Sequence, residues 1–167
     1  MGGSSGGGLY TSDIKSLEER AKQKLTDAAI GDTSRHVFIS FDHEDLNEVN
    51  LLRGQAKNDK VELQFDDHSV KEPFDSTNAD YIKRQIRQKI DRCSVTVVYL
   101  SDKTASSKWV NWEIEESRRR GKGVVGVYKG DKAPANLPPA FQHNGYKFVK
   151  WEHAALMKAI EDANTKR

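Results

Sequence analysis

The feature that most restricts this chain is an alternation. Short runs rich in β-branched and aromatic residues are separated by longer stretches whose apolar residues recur every three or four positions. The runs His36-Val37-Phe38-Ile39-Ser40-Phe41, Ser94 to Leu100 and Val124 to Tyr128 carry the β-branched and aromatic character of buried strands, and Ser94 to Leu100 reads as a central one covered on both faces. Lys60 to Phe65 instead alternates Val61, Leu63 and Phe65 with polar residues, the period of a strand with one more exposed face. A short last run, Tyr146-Lys147-Phe148-Val149, follows Pro134, Pro138 and Pro139, which are expected to keep the segment before it free of regular structure. The intervening stretches read as helices: Asp45 to Lys57 on Leu46, Val49 and Leu52, one on Tyr81 or Ile82, Ile86 and Ile90 ending near Cys93, Lys108 to Arg120 ended by Gly121, and His153 to Asn164 on Leu156, Ala159, Ile160 and Ala163. Another amphipathic helix, Ser12 to Ile30, precedes them with Ile14, Leu17, Ala21, Leu25 and Ala28 on one stripe. Strands alternating with helices imply an α/β fold, a mostly parallel sheet between helical layers joined by right-handed crossovers. Ligands bind such sheets outside the carboxyl ends of the strands, so the loops after Phe41, Phe65, Leu100 and Tyr128 are where chemistry is sought. Asp66 to Asn78 has no sustained periodicity and reads as a long surface loop.

Composition narrows the function classes. No apolar run approaches the roughly 18 residues of a membrane span, and no apolar h-region marks a secretory signal, so a soluble, cytoplasmic protein is expected. The 27 basic and 25 acidic residues nearly cancel, which argues against a dedicated nucleic-acid surface. Cys93 is the single cysteine, and the five histidines show no H-x-x-x-H spacing, so neither a disulfide framework nor a metal centre is expected. Residues 1–8 read as a flexible linker, 9–34 as the first helix and its connection, and 35–167 as the principal domain.

Three segments carry candidate chemistry. Gly121-Lys122-Gly123-Val124-Val125-Gly126 matches G-x-G-x-x-G, but a helix precedes it and a strand follows, the reverse of a dinucleotide-binding turn. It reads as a helix cap. The exit of the first strand, Ser40-Phe41-Asp42-His43-Glu44-Asp45, gathers polar groups at the ligand-binding end of the sheet, where Asp42 or Asp45 could equally cap the next helix. In Lys108-Trp109-Val110-Asn111-Trp112-Glu113-Ile114, four residues separate Trp109 from Glu113, so both lie on one helix face, while Val110, Ile114 and Ser117 lie on another that can pack against the sheet. Two readings follow: a core tryptophan with an ordinary surface charge, or a carboxylate beside aromatic surface that acts on a cationic substrate. Arg118-Arg119-Arg120 with Lys122 forms a basic cluster that suits the C-terminal end of a helix dipole and could also meet a phosphate. Cys93 reads as an inert buried thiol.

In this order and spacing, the Val37-to-Phe41 strand with its acidic turn, the isoleucine-bearing helix, the Val95-to-Leu100 strand, Ser101, and the W-x-x-x-E-I start of the next helix resemble a TIR domain over about Arg35 to Trp151. The likeness is to the bacterial group that includes the sensor proteins of Thoeris antiphage defence. The R-D-x-x-P-G loop of animal TIR domains is absent from Asp66 to Asn78, which also favours that group. The resemblance implies a three-layer flavodoxin-like fold with an extra N-terminal helix. It also implies cleavage of the nicotinamide–ribose bond of NAD+, giving an ADP-ribose-derived, cyclic signal, with NAD+ as substrate and no resident cofactor. It assigns the catalytic role to Glu113 and substrate contacts to Ser40, Phe41, Asp42, His43, Asp67, Phe74, Ser101 and Trp109. Homo-oligomers formed through TIR–TIR contacts and a downstream nucleotide-sensing effector are the implied partners. A non-catalytic TIR-like interaction module is the alternative, and a receiver-like phosphate binder is weakened because the central strand ends in Leu100-Ser101 rather than an acceptor aspartate.

Overall fold

Val95 to Leu100 is buried at every residue, which demands a strand on either side and a helical layer on each face. The computed structural model describes residues 14–22, 35–58, 63–68 and 72–166. It divides into two units, Met1–Ser34 and Arg35–Arg167. In the first, residues 14–22 form a helix, α1, with Ile14 and Leu17 exposed. The remainder of the expected Ser12-to-Ile30 helix and the linker at 1–8 lie outside the described residues.

The second unit runs β1 (Arg35–Ser40), a 3₁₀ turn (His43–Asp45), α2 (Leu46–Asn58), β2 (Leu63–Asp67), α3 (Ala79–Arg92), β3 (Val95–Leu100), a 3₁₀ turn (Thr104–Ser106), α4 (Lys108–Arg119), β4 (Gly123–Tyr128), α5 (Pro139–His143), β5 (Phe148–Lys150) and α6 (His153–Thr165). Its five strands pair in the order β2-β1-β3-β4-β5, all parallel, the flavodoxin-like arrangement. Side chains alternate across the sheet. Val37, Ile39, Val95, Val97, Val125 and Val127 pack with Val49 and Leu52 of α2 and Leu156 and Ile160 of α6. On the other face, Phe38 meets Ile82, Ile86 and Ile90 of α3, while Val98, Leu100 and Val124 meet Val110 and Ile114 of α4 and Phe141 of α5. Ser40 is two residues beyond Phe38, so its side chain falls on this second face, towards α3 and α4.

Several sequence expectations need correction. β2 runs to Asp67, so Asp66 and Asp67 belong to a strand, and Asp67 is in register with Ile39. The strand outlasts its hydrophobic alternation because β1 supplies the ladder. Its expected start at Lys60 to Glu62 lies outside the described residues, as do residues 69–71 of the following loop. The proline-rich segment does contain a helix, α5, because Pro138 occupies the N-cap and Pro139 the first turn, where a missing N–H costs nothing. β5 begins at Phe148 rather than Tyr146. Of the pair Tyr81 or Ile82, Ile82 is buried and Tyr81 is 61% exposed. Gly121 ends α4 with φ +69, and the Lys122 N–H donates to the Ser117 carbonyl at 2.9 Å, the closing pattern of a glycine-capped helix. A Cβ on Gly126 would stand 2.7 Å from both Leu100 and Phe141, so that glycine permits close packing. All three glycines of the G-x-G-x-x-G match therefore lie at a cap or in a strand.

Candidate active site

α4 begins where the sheet's carboxyl end meets a capping serine. The Ser107 hydroxyl accepts the Val110 N–H at 3.3 Å, and the Asn111 side chain ties the first turn to α5 through the Ala140 N–H at 3.0 Å. Further along, a buried polar chain fixes the helix's distance from β3: the Thr96 and Ser117 hydroxyls lie 2.7 Å apart, and Ser117 donates to the Glu113 carbonyl at 2.8 Å. This anchorage turns Glu113 inward. Its side chain is not the surface charge that helix spacing allowed; the residue is 2% exposed.

Glu113, Phe41, Asp42, His43, Phe74 and Trp109 line a pocket of about 300 Å³, joined there by His68, Glu72, Pro73, Ser107 and Lys108. Burial pushes the Glu113 carboxyl up to about 8, against the Ser40 hydroxyl, which favours the charged form, and with added repulsion from Asp67. Glu113 Oε2 and Ser40 Oγ are both buried without a partner in hydrogen-bonding geometry. Of the two, Glu113 lines the cavity, and an unsatisfied polar atom there is what a site that takes a polar ligand presents. Burial, helped by the Lys89 charge and opposed by Asp67, lowers the His68 pKa below its ordinary value.

The loop before α3 forms the outer wall. The Trp109 indole N–H donates to the Glu72 carbonyl at 2.8 Å, the Phe74 ring meets Trp109 edge-on at 4.9 Å, and Lys108 reaches Asp75 at 3.2 Å. The Lys83 ammonium stands 4.2 Å from the Phe74 ring centre, a cation–π contact that fixes the ring. Phe41, Phe74 and Trp109 thus offer flat aromatic surface beside one buried carboxyl, a setting able to stack a planar ring and to stabilise adjacent positive charge.

The remaining sequence candidates occupy different places. Ser40 is fully buried behind the pocket wall, next to Glu113. Asp67 does not line the pocket; it pairs with Arg53 at 2.6 Å and reaches Glu113 only through its charge. Ser101 is also outside, donating to buried Asp45 at 2.5 Å and so tying together the loops that follow β1 and β3. Burial raises the Asp45 carboxyl above its usual range, and the Ser101 bond opposes that rise. Asp42 caps the 3₁₀ turn by accepting the Glu44 N–H at 3.0 Å, while its residue still faces the pocket. The resemblance also implies that the loop from Asp66 to Phe74 lines the pocket as a whole, which takes in His68, Glu72 and Pro73 without singling them out, whereas Ser107 and Lys108 carried no sequence signal beyond a helix start. Among the described residues no cluster of three potential metal ligands occurs, and no helix is long and apolar enough to cross a membrane.

Comparison with known proteins adds to this geometry. ThsB1 of Bacillus cereus (strain MSX-D12), whose name marks it as a candidate cyclic ADP-D-ribose synthase, is 26% identical over 125 residues. That alignment covers 69% of this chain and 65% of the relative, so the chain spans less than two thirds of the relative's length. Among solved structures, the CMP N-glycosidase BcmB of Clostridium botulinum superposes with a TM-score of 0.43 at 11% identity, covering 76% of this chain and 99% of its own. The TIR domains of the activated Roq1 resistosome give 0.42 at 21%, covering 77% and 72%. Superpositions that loose add no argument about function. The sequence profile described as the TIR-like domain of the Thoeris protein ThsB matches residues 38–133, more than half of the chain and from β1 past β4. The chain therefore belongs to the ThsB TIR-like domain family.

Proposed function

We propose that this domain cleaves the bond between nicotinamide and ribose in NAD+ and releases an ADP-ribose-derived, cyclic product as a signal in antiphage defence. The observation that carries the reading is Glu113: one carboxyl, buried and unpaired, at the inner end of an aromatic-walled pocket at the carboxyl edge of a parallel sheet. Family membership and the name of the Bacillus relative support the same substrate.

The chemistry requires little more than this pocket. As the C1′–N bond breaks, its electron pair goes to the pyridinium nitrogen, so nicotinamide leaves as a neutral molecule and the ribose acquires oxocarbenium character. A glycosidase normally supplies a second carboxyl as acid for its leaving group, and here the leaving group needs no proton. Glu113 as carboxylate stabilises the cationic ribose or orients its hydroxyls, in a site dry enough for the interaction to count. The cation is captured by water, giving ADP-ribose, or by a nucleophilic atom of the same molecule, giving a cyclic product. Phe41, Phe74 and Trp109 would stack against the planar rings, and Asp42 and His43 would meet polar groups at the mouth. Ser40 acts through Glu113, by favouring its charged form. Asp67 and Ser101, outside the lining, would hold Arg53 and Asp45 rather than substrate. NAD+ is a substrate in this scheme, with no resident cofactor; self-assembly through TIR–TIR contacts, a cytoplasmic location and an effector that senses the product complete it.

Incubating the protein with NAD+ over a range of protein concentrations, and separating nicotinamide, ADP-ribose and cyclic products, tests the proposal. Nicotinamide release that disappears in Glu113→Gln, with the circular dichroism spectrum unchanged, is the expected result. No turnover at any concentration, accompanied by concentration-dependent self-association, would leave the domain as a non-catalytic interaction module.

A further inference from the structure

A second cavity lies at the opposite end of the sheet from Glu113. It is a half-open groove of about 590 Å³ where the amino ends of β4 and β5 meet the last turns of α4 and α6. Its volume falls within the roughly 300–1,000 Å³ of small-molecule sites. Val124, Val125, Val149, Ala159 and Ala163 contribute apolar lining, and Tyr146 adds an aromatic face. The groove is a consequence of close packing. A Cβ on Gly123 would collide with the Ala163 carbonyl, so only glycine lets the end of α6 lie against the start of β4, and the alanines at 155, 159 and 163 then leave the space beside it unfilled.

The rim has a definite charge. Arg118, Lys122, Lys147, Lys158 and Lys166 surround the groove and Asp162 is the one carboxylate among its described lining residues, an excess larger than the +2 net charge of the whole chain. Within the Arg118-to-Lys122 basic cluster, Arg119 and Arg120 turn to Glu116 and Asp91, while Arg118 and Lys122 face the groove. Arg118 is shared with Glu115 and Lys122 with the Asp91 carbonyl. Among the described residues, the ammonium groups of Lys147, Lys158 and Lys166 have no hydrogen-bond or ion-pair partner. Like charges gathered around an apolar hollow repel one another, and an anion placed among them relieves that repulsion.

We propose that this groove is a binding site for a small anionic amphiphile, a molecule with an apolar aromatic or alkyl body that fills the hollow and a carboxylate, sulfonate or phosphate head that meets Lys147 and Lys158. The site is separate from the Glu113 pocket and does not depend on NAD+ chemistry. An apolar body without a head group would leave the lysines unpaired, and a head group without a body would be held only by exposed charges, which water and salt screen.

Fluorescence titration with 1-anilinonaphthalene-8-sulfonate, and with its uncharged counterpart N-phenyl-1-naphthylamine, tests the proposal on the full chain. The sulfonate should saturate at a single site, at least about tenfold more tightly than the uncharged dye, the difference a charge-assisted contact supplies. Replacing both exposed lysines, Lys147→Gln with Lys158→Gln, should weaken the sulfonate about tenfold and leave the uncharged dye unchanged. Ala159→Phe, which fills the hollow, should abolish binding of both, with a melting curve confirming that the variant is folded. Non-saturating sulfonate fluorescence, equal affinity for the two dyes, or sulfonate binding indifferent to the lysine substitutions would overturn the proposal. So would co-sedimentation with phosphatidylglycerol vesicles through these lysines in the absence of saturable dye binding, because the face would then be a membrane-contacting surface.

Discussion

Glu113 and Glu116 lie three residues apart on α4, both almost fully buried, and the fold treats them in opposite ways. Glu116 lies within 3.4 Å of Arg87, 3.3 Å of Arg120 and 3.7 Å of Arg119, so its charge is met from two helices. Among the described residues Glu113 has no ion-pair partner, one of its oxygens is unpaired, and burial drives its carboxyl up to about 8. A paired carboxylate in a wall holds helices together. An unpaired one at the end of a pocket is held against its own desolvation cost, and on the proposed function it is the one that acts on substrate.

The comparison can be broken most directly by removing one carboxylate at a time. Glu113→Gln is expected to lower nicotinamide release by at least about a hundredfold, the scale on which a group that stabilises transition-state charge acts. Glu116→Gln should leave release per folded molecule unchanged. Equal losses in the two variants would erase the distinction.

A second expectation concerns stability against pH. The folded state holds the Glu113 proton up to about pH 8, whereas the unfolded chain gives it up near the ordinary value of 4.5. The stabilisation is therefore complete below that lower value and declines as pH rises towards about 8. Glu113→Gln removes the penalty of ionisation, so its stability relative to the parent should grow across this window by an amount on the order of a few kcal/mol. Denaturant melts of both proteins at several pH values provide the measurement, and a constant difference would contradict the raised pKa.

For Glu116→Gln the expected cost is about 1–2 kcal/mol, well short of a fully buried pair, because its arginine partners are partly solvated. Chemical denaturation reads it. The smallest effect belongs to Ser40→Ala. Loss of the hydroxyl that favours the charged carboxyl should move the rising limb of kcat/KM, set near pH 8 by Glu113 in the free enzyme, to higher pH without lowering the plateau. An unshifted limb would remove Ser40 from its positioning role.

Much of this fold was legible in the chain. The alternation of strand runs and helical stripes is repeated enough that local period and global architecture agree, and Val95 to Leu100 announced itself as central by having no polar face. Misreadings occurred where a neighbour overrode local pattern. Asp66 and Asp67 join β2 because β1 offers hydrogen bonds, and Pro138-Pro139 starts a helix because its position forgives the missing N–H. The site was legible in part. Spacing placed Trp109 and Glu113 on one helix face, and strand polarity placed Phe41, Asp42 and His43 at the ligand-binding end. The W-x-x-x-E resemblance singled out Glu113, but helix spacing by itself does not say that Glu113 is buried at a pocket while Glu116 is met by arginines.

By itself, the sequence determined the order and type of the main elements, the end of the sheet at which a ligand would sit, and through its W-x-x-x-E segment the family. Only the tertiary structure decided which carboxylate is buried at a pocket rather than met by arginines, that Asp67 and Ser101 contact other side chains, and that scattered lysines before β5 and on α6 converge around one apolar groove. The reason is physical. Periodicity is a property of neighbours along the chain, whereas desolvation and charge pairing depend on distances between groups that only packing brings together.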